Sequence, residues 1–148
     1  GVGGHCIAVD PWFIVSKDQI NSRLIKTARE VNESKPEWVV QKIISQAQNL
    51  DTKRVACLGL AFKPDIDDLR ESPSIRVVDS LLESGYSVSC VEPNIKKHEK
   101  YNLITFDEAL EEFEIVSLLV NHKEFLTKEA TRRLLEKEAL DFCGGIVI

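Results

Sequence analysis

The sequence predicts an α/β fold in which a helical segment precedes a parallel sheet with crossover helices. From residue 51 onward, short apolar runs typical of buried strands alternate with amphipathic segments, which is the order that β-α-β units require. Residues 18–50 instead carry apolar side chains at helical spacing. We therefore divide the chain into residues 1–50, a loop with helices, and residues 51–148, a sheet domain.

Length and composition predict a water-soluble chain with its own core. The 148 residues are 43% hydrophobic and 29% charged, enough to bury roughly two thirds of the unfolded surface. No apolar run reaches the roughly 18 residues of a membrane span, and the formal net charge is -5. We expect a cytoplasmic protein that binds neither membrane nor nucleic acid, because a negative chain lacks broad attraction for either.

The helical segment offers more apolar surface than it can cover alone. The tetrapeptide SKPE at residues 34–37 is typical of a capping box with proline in the first turn. It predicts either two helices, over residues 18–33 and 34–50, or one kinked helix. The first stripe consists of Ile20, Leu24, Ala28 and Val31. This surplus predicts packing against another domain or a second subunit, and we expect a homodimer.

The sheet domain is predicted from four apolar runs and the helices between them. Ser72 and Pro73 begin a helix that Gly85 is placed to end. The predicted strands are residues 54–62, 87–91, 115–120 and 145–148, and further helices are predicted over residues 106–113 and 123–137.

The cysteines and histidines do not predict a metal site. Cys57 and Cys90 lie in strand-like runs, where buried thiols are expected. No CxxC pair occurs, so neither zinc nor a disulfide framework is indicated. His122, at a strand-to-helix junction, is interpreted as a capping or packing residue. Cys6 differs because its neighbours are glycines and a histidine.

The loop KPDIDDLRESPS, residues 63–74, lies where the first strand gives way to a helix. Ligands of open parallel sheets gather at this edge. Lys63, Arg70 and the amides of the helix N-terminus would suit a phosphate or diphosphate. The equally weighted alternative is that the aspartates are solvated and one of them pairs with Arg70. The loop carries no GxGxxG fingerprint.

Three segments together, GVGGHCIAVDPWF, TAREVNESKP and GLAFKPDIDDLRESPS, resemble the UDP-glucose/GDP-mannose dehydrogenase family of UDP-sugar 6-dehydrogenases. GGHC followed by IAVDPWF is similar to the branch acting on N-acetylhexosamines. The resemblance runs through nearly the whole chain and implies a Rossmann-like UDP-binding domain. It also implies NAD-dependent oxidation of the sugar C6 alcohol to a carboxylate, in nucleotide-sugar metabolism.

The resemblance assigns roles to six residues. It implies that Cys6 is the nucleophile that attacks the intermediate aldehyde and that Asp10 organises water or a proton relay. It implies contacts of Gly3, Phe62 and Lys63 with the UDP-sugar substrate. It also implies that Arg70 contacts NAD.

Two departures from the family bear on activity. The family's NAD-binding domain and an upstream lysine do not occur in this sequence, which matches a C-terminal portion only, so we expect no turnover from this chain alone. Cys143 stands where a basic residue is usual. The alternative interpretation is therefore a truncated, non-catalytic UDP-binding or dimerisation module.

Overall fold

The computed structural model describes residues 1–146 and confirms the α/β class. Five strands form one sheet: β1 (Arg54–Leu58), β2 (Ser87–Val91), β3 (Asn102–Leu103), β4 (Ile115–Leu118) and β5 (Leu140–Asp141). The strand order is β3-β2-β1-β4-β5, and every neighbouring pair is parallel. The winding direction therefore changes between β1 and β4, which is the switch point where ligands of such sheets bind.

Five helices complete the described chain: α1 (Asp10–Lys17), α2 (Arg23–Asn49), α3 (Pro73–Glu83), α4 (Phe106–Glu112) and α5 (Lys128–Glu136). None of the helices within residues 1–146 is long and apolar enough to cross a bilayer. Side chains alternate across β1, so Val55 and Cys57 face the core beneath α2 and α3. Ala56 and Leu58 face the opposite core, beneath α4 and α5.

Of the two alternatives left open for the helical segment, the structure has one helix, α2, over Arg23–Asn49, and not two. Pro36 lies inside it and is buried, so SKPE does not begin a new helix. Ser34 Oγ donates to the Val31 carbonyl 2.8 Å away within the helix instead of capping a new one. Tertiary packing outweighs the break because Val40 and Ile43, beyond the proline, are buried in the core.

Three other expectations about the elements need correction. The segment DPWFIVSK, for which no helix is predicted, forms α1. Strand β3 is not predicted either, because it is only two residues long and has no alternating pattern to reveal it. The fifth strand is Leu140–Asp141, earlier than predicted, and Gly145 and Ile146 are not in a strand. The rest of that predicted strand, residues 147–148, lies outside the described residues.

The helix boundaries follow the capping residues. Ser72 caps α3, and Gly85 follows its end with φ +81°, as predicted. Thr105 and Glu108 form a capping box at α4. Helix α5 begins at Lys128, five residues later than predicted, because Thr127 Oγ1 accepts from the Ala130 amide and sets the start.

Candidate functional site

A cavity of about 290 Å³ opens at the carboxyl edge of the sheet, at the switch point between β1 and β4. The segments that follow β1, β4 and β5 line it, together with the first turn of α3 and part of α2. The polar and aromatic lining residues are Phe62, Lys63, Ser74, Asn121, Phe142 and Cys143. A concave surface therefore lies at the start of the 63–74 loop, and of the two predicted cations Lys63 lines it whereas Arg70 does not.

The N-terminal glycine loop packs directly on this region. A Cβ on Gly3 would lie 2.2 Å from the Glu71 carbonyl oxygen and 2.6 Å from Pro73 Cδ. Gly4 has φ +97°, and its Cβ would lie 2.9 Å from the Phe62 ring. Only glycine tolerates both the contact and that backbone conformation. The structure thus brings together two segments that are about 60 residues apart in the chain.

The predicted nucleophile lies on the surface of this loop. Cys6 is exposed, and its carbonyl accepts from the Val9 and Asp10 amides at 3.1 and 2.8 Å. The second of these bonds has helical i→i−4 spacing, so Cys6 and Asp10 are stacked one turn apart. The close packing accounts for the glycines before Cys6. They let the turn that carries the thiol lie against the Phe62 loop while the thiol stays exposed.

Phe62 and Lys63, the predicted contacts with the UDP-sugar, both line the cavity. Phe62 is half-buried between the glycine loop and the cavity, and Lys63 is exposed at its rim. The Lys63 ammonium lies 5.6 Å from the Phe62 ring centroid, a cation–π distance. Within residues 1–146 Lys63 forms no ion pair, so its charge is available to an anionic ligand.

Arg70 is placed differently from Lys63. Its Nε and Nη2 donate to the Asp68 carboxylate at 2.9 and 2.6 Å, which is the pairing that the alternative interpretation predicted. These hydrogen bonds lower the pKa of Asp68 to about 2 and raise the pKa of Arg70. Arg70 lines a second, open depression, so Lys63 and Arg70 do not form one anion site.

The N-terminus of α3 is also less available than predicted. Pro73 at its first position has no amide hydrogen, and the Ser74 amide already donates to Ser72 Oγ at 3.2 Å. Lys63 therefore supplies the positive charge at this edge of the cavity, and the helix amides contribute less.

Glu92 and His122 form a buried cluster that the sequence patterns do not predict. Glu92 follows β2, His122 follows β4, and both side chains are fully buried. His122 Nε2 lies 3.1 Å from Glu92 Oε2, and its Nδ1 accepts from the Asp65 amide at 2.9 Å. Burial raises the pKa of Glu92, but hydrogen bonds from His122, Leu60 and Asn94 outweigh it and hold the pKa at about 2.

The same cluster includes a grouping of Asp65, His122 and Glu124 that could hold a metal ion by distance alone. The His122 Nδ1 lone pair is already used by the Asp65 amide. Asp65 Oδ1 accepts from the Lys123 amide at 3.0 Å. These bonds support the prediction that His122 has a packing and capping role.

Cys143 closes the far side of the cavity. It is half-buried, and its Sγ lies 3.6 Å from the Leu118 carbonyl oxygen. Burial and the nearby Asp141 carboxylate raise its pKa to about 12. The thiol therefore stays neutral at pH 7, and because a thiol carries no positive charge in either protonation state, Cys143 does not replace the basic residue that the resemblance implies here.

Comparison with known proteins agrees with the architecture. The model of the UDP-glucose/GDP-mannose dehydrogenase family, UDP binding domain, matches residues 56–144. The chain belongs to this family. That result confirms the resemblance found in the three sequence segments.

Relatives in the family match both the sequence and the structure. UDP-N-acetyl-D-mannosamine dehydrogenase of Campylobacter jejuni is 50% identical over 140 residues, covering 89% of this chain and 34% of that protein. NDP-N-acetyl-D-galactosaminuronic acid dehydrogenase of Ralstonia solanacearum is 45% identical, covering 97% and 35%. A solved UDP-N-acetyl-mannosamine dehydrogenase from S. aureus superposes with a TM-score of 0.75 at 36% identity, covering 86% and 30%. The chain thus spans about a third of its curated relatives' length.

Proposed function

We propose that this chain is the C-terminal part of an NAD-dependent UDP-N-acetyl-D-mannosamine 6-dehydrogenase. It would supply the UDP-sugar site and the cysteine nucleophile. One observation carries the proposal: the glycine loop that bears Cys6 packs against Phe62, which lines the cavity with the unpaired Lys63. A nucleotide sugar held there by its diphosphate would extend toward the thiol.

The role of Cys6 is the one that the family resemblance implies, and the exposure of its thiol leaves the sulfur open to a substrate. The sulfur attacks the C6 aldehyde of the half-oxidised sugar and forms a thiohemiacetal, which loses hydride to become a thioester. Water then cleaves the thioester, releasing the carboxylate and restoring the thiol. Asp10, one turn away, is placed to accept a proton from that water.

NAD accepts the hydride in both oxidation steps when it is bound. In this chain, Arg70 has a hydrogen-bond donor that a phosphate group of NAD could use. Its side chain is 64% exposed, and the guanidinium donates to Asp68 through Nε and Nη2, which leaves Nη1 for a phosphate oxygen. The Asp68 pair holds the side chain in one orientation.

UDP binding tests the proposal. Calorimetry on the 148-residue chain should detect UDP binding. Lys63→Ala should weaken that binding about tenfold or more, because a charge-assisted contact is lost. Lys53→Ala is the matched control, since Lys53 lies at the opposite end of β1 against Tyr86. The absence of UDP binding, or equal effects of the two substitutions, would refute the proposed site.

We further propose a homodimer through the helical segment, residues 18–50. Ile20, Leu24 and Val31 are 80%, 82% and 58% exposed, and the last two share one face of α2. A helical stripe is self-complementary about a two-fold axis, so a second copy is the occupant we assign. Light scattering should give twice the chain mass, and Leu24→Glu should reduce it. A native monomer at high concentration would exclude this interface.

Cys143 favours a second candidate function, a UDP-binding or dimerisation module with no redox role. The thiol stands where the family usually has a basic residue, and its raised pKa keeps it neutral. The two candidates differ in the fate of Cys6. Covalent capture of a UDP-sugar C6 aldehyde by Cys6, detected as a mass increase that Cys6→Ser abolishes, is expected only of the enzyme.

A further inference from the structure

We infer that Glu92 and His122 are positioning residues for the ligand-binding loop, which anchor both sides of Phe62 and Lys63. The inference rests on the proposed function, because it concerns how the proposed UDP contacts are held. These two buried side chains accept hydrogen bonds from the backbone before and after the loop.

Glu92 holds the amino-terminal side of the loop. Its Oε2 accepts from the Leu60 and Ala61 amides at 2.7 and 3.1 Å. Its Oε1 accepts from the Asn94 amide at 3.1 Å. An ionised carboxylate offers acceptors only, so this residue satisfies two amides of the chain leaving β1 just where regular strand pairing has ended.

His122 holds the carboxyl-terminal side. Its Nδ1 accepts from the Asp65 amide, which assigns the ring proton to Nε2, the nitrogen that donates to Glu92. Asp65 has φ +61°, a conformation that a non-glycine residue adopts only when its surroundings impose it. The bond to His122 and the bond from the Lys123 amide to Asp65 Oδ1 supply that constraint.

The anchored residues bracket the contact residues closely. Ala61 is fixed by Glu92 and Asp65 by His122, so only Phe62, Lys63 and Pro64 lie between the two anchors. Three residues held at both ends lose most of their conformational freedom before any ligand arrives. The buried pair therefore bears on ligand affinity although, in residues 1–146, neither side chain lines the cavity.

Two substitutions of His122 test the inference. His122→Phe keeps an aromatic ring but removes the acceptor for the Asp65 amide, and should weaken UDP binding about tenfold. His122→Asn places a side-chain oxygen near the Nδ1 position and should keep UDP affinity within about threefold. Ile115→Val, a buried change at the amino end of β4, should lower Tm and leave UDP affinity unchanged.

A double-mutant cycle distinguishes positioning from general loss of stability. If His122 acts through Lys63, His122→Phe should change UDP affinity much less in a Lys63→Ala background. Amide hydrogen exchange provides a readout independent of UDP, since Asp65 should exchange faster in folded His122→Phe than in the native chain. Unchanged Asp65 exchange, or fully additive losses of affinity, would overturn the inference. Native protein that fails to bind UDP refutes the proposed function, and Asp65 exchange then still decides the positioning role.

Discussion

Replacing Gly3 with alanine should separate the glycine loop from the cavity. The new Cβ would lie 2.2 Å from the Glu71 carbonyl oxygen, whereas real contacts of this kind are at least 3.0 Å, so the loop or its support must move by about 0.8 Å. Forcing one methyl group into such a contact costs about 1–3 kcal/mol. A displacement of about 1 Å near reacting atoms can cost on the order of 10²-fold in rate.

Urea unfolding and UDP calorimetry measure the two consequences. We expect Gly3→Ala to lose about 1–3 kcal/mol of unfolding free energy and to bind UDP more weakly, because Pro73 beside Gly3 also lines the cavity.

Gly85→Ala is the matched control. Gly85 has φ +81°, and no atom of residues 1–146 lies within 4 Å of the added Cβ, so Gly85→Ala should lose about 1–2 kcal/mol from backbone strain with UDP affinity unchanged. Native stability and native UDP affinity in Gly3→Ala would refute the packing argument.

Three further predictions concern protonation, thiol reactivity and capping. The pKa of Glu92 is lowered from 4.5 to about 2. Its ionised carboxylate therefore adds about 3 kcal/mol to the free energy of unfolding above pH 4.5, and this stabilisation is lost as pH falls toward 2. Glu92→Gln should flatten that part of an acid-denaturation curve; an unchanged slope contradicts the assignment. Maleimide should label one thiol rapidly in the folded chain, at Cys6, because Cys57 and Cys90 are buried and burial raises the pKa of Cys143 to about 12; a fast phase that persists in Cys6→Ser would be inconsistent with this. Thr105→Ala should cost about 1 kcal/mol by removing the α4 capping box, while Thr105→Ser restores it, as thermal unfolding can check.

The local sequence patterns predicted most of the sheet domain. Strand β2 matches its predicted bounds, because its apolar run ends at turn residues on both sides. Helix α3 begins after Ser72 and ends before Gly85 as predicted, because capping depends on residues adjacent in the chain. Strand β3 escaped prediction because two residues cannot display a period, and its place depends on pairing with β2.

Local signals left open whether residues 18–50 form two helices or one. SKPE has every feature of a helix start, but whether a proline ends a helix depends on the packing on either side of it. Here the buried residues beyond Pro36 hold the helix against the sheet. Local propensity is a weak preference that tertiary contacts override.

By itself, the sequence determined the fold class, the family and the chemical character of Cys6, Phe62 and Lys63, since these depend on residue types and short spacings. Only the tertiary structure decided which of them share a site. It placed the glycine loop on Phe62, paired Arg70 with Asp68 away from the cavity, and joined Glu92 to His122. The physical reason is that a charge or a thiol acts on what lies within a few ångströms of it, and that distance is set by how distant segments pack.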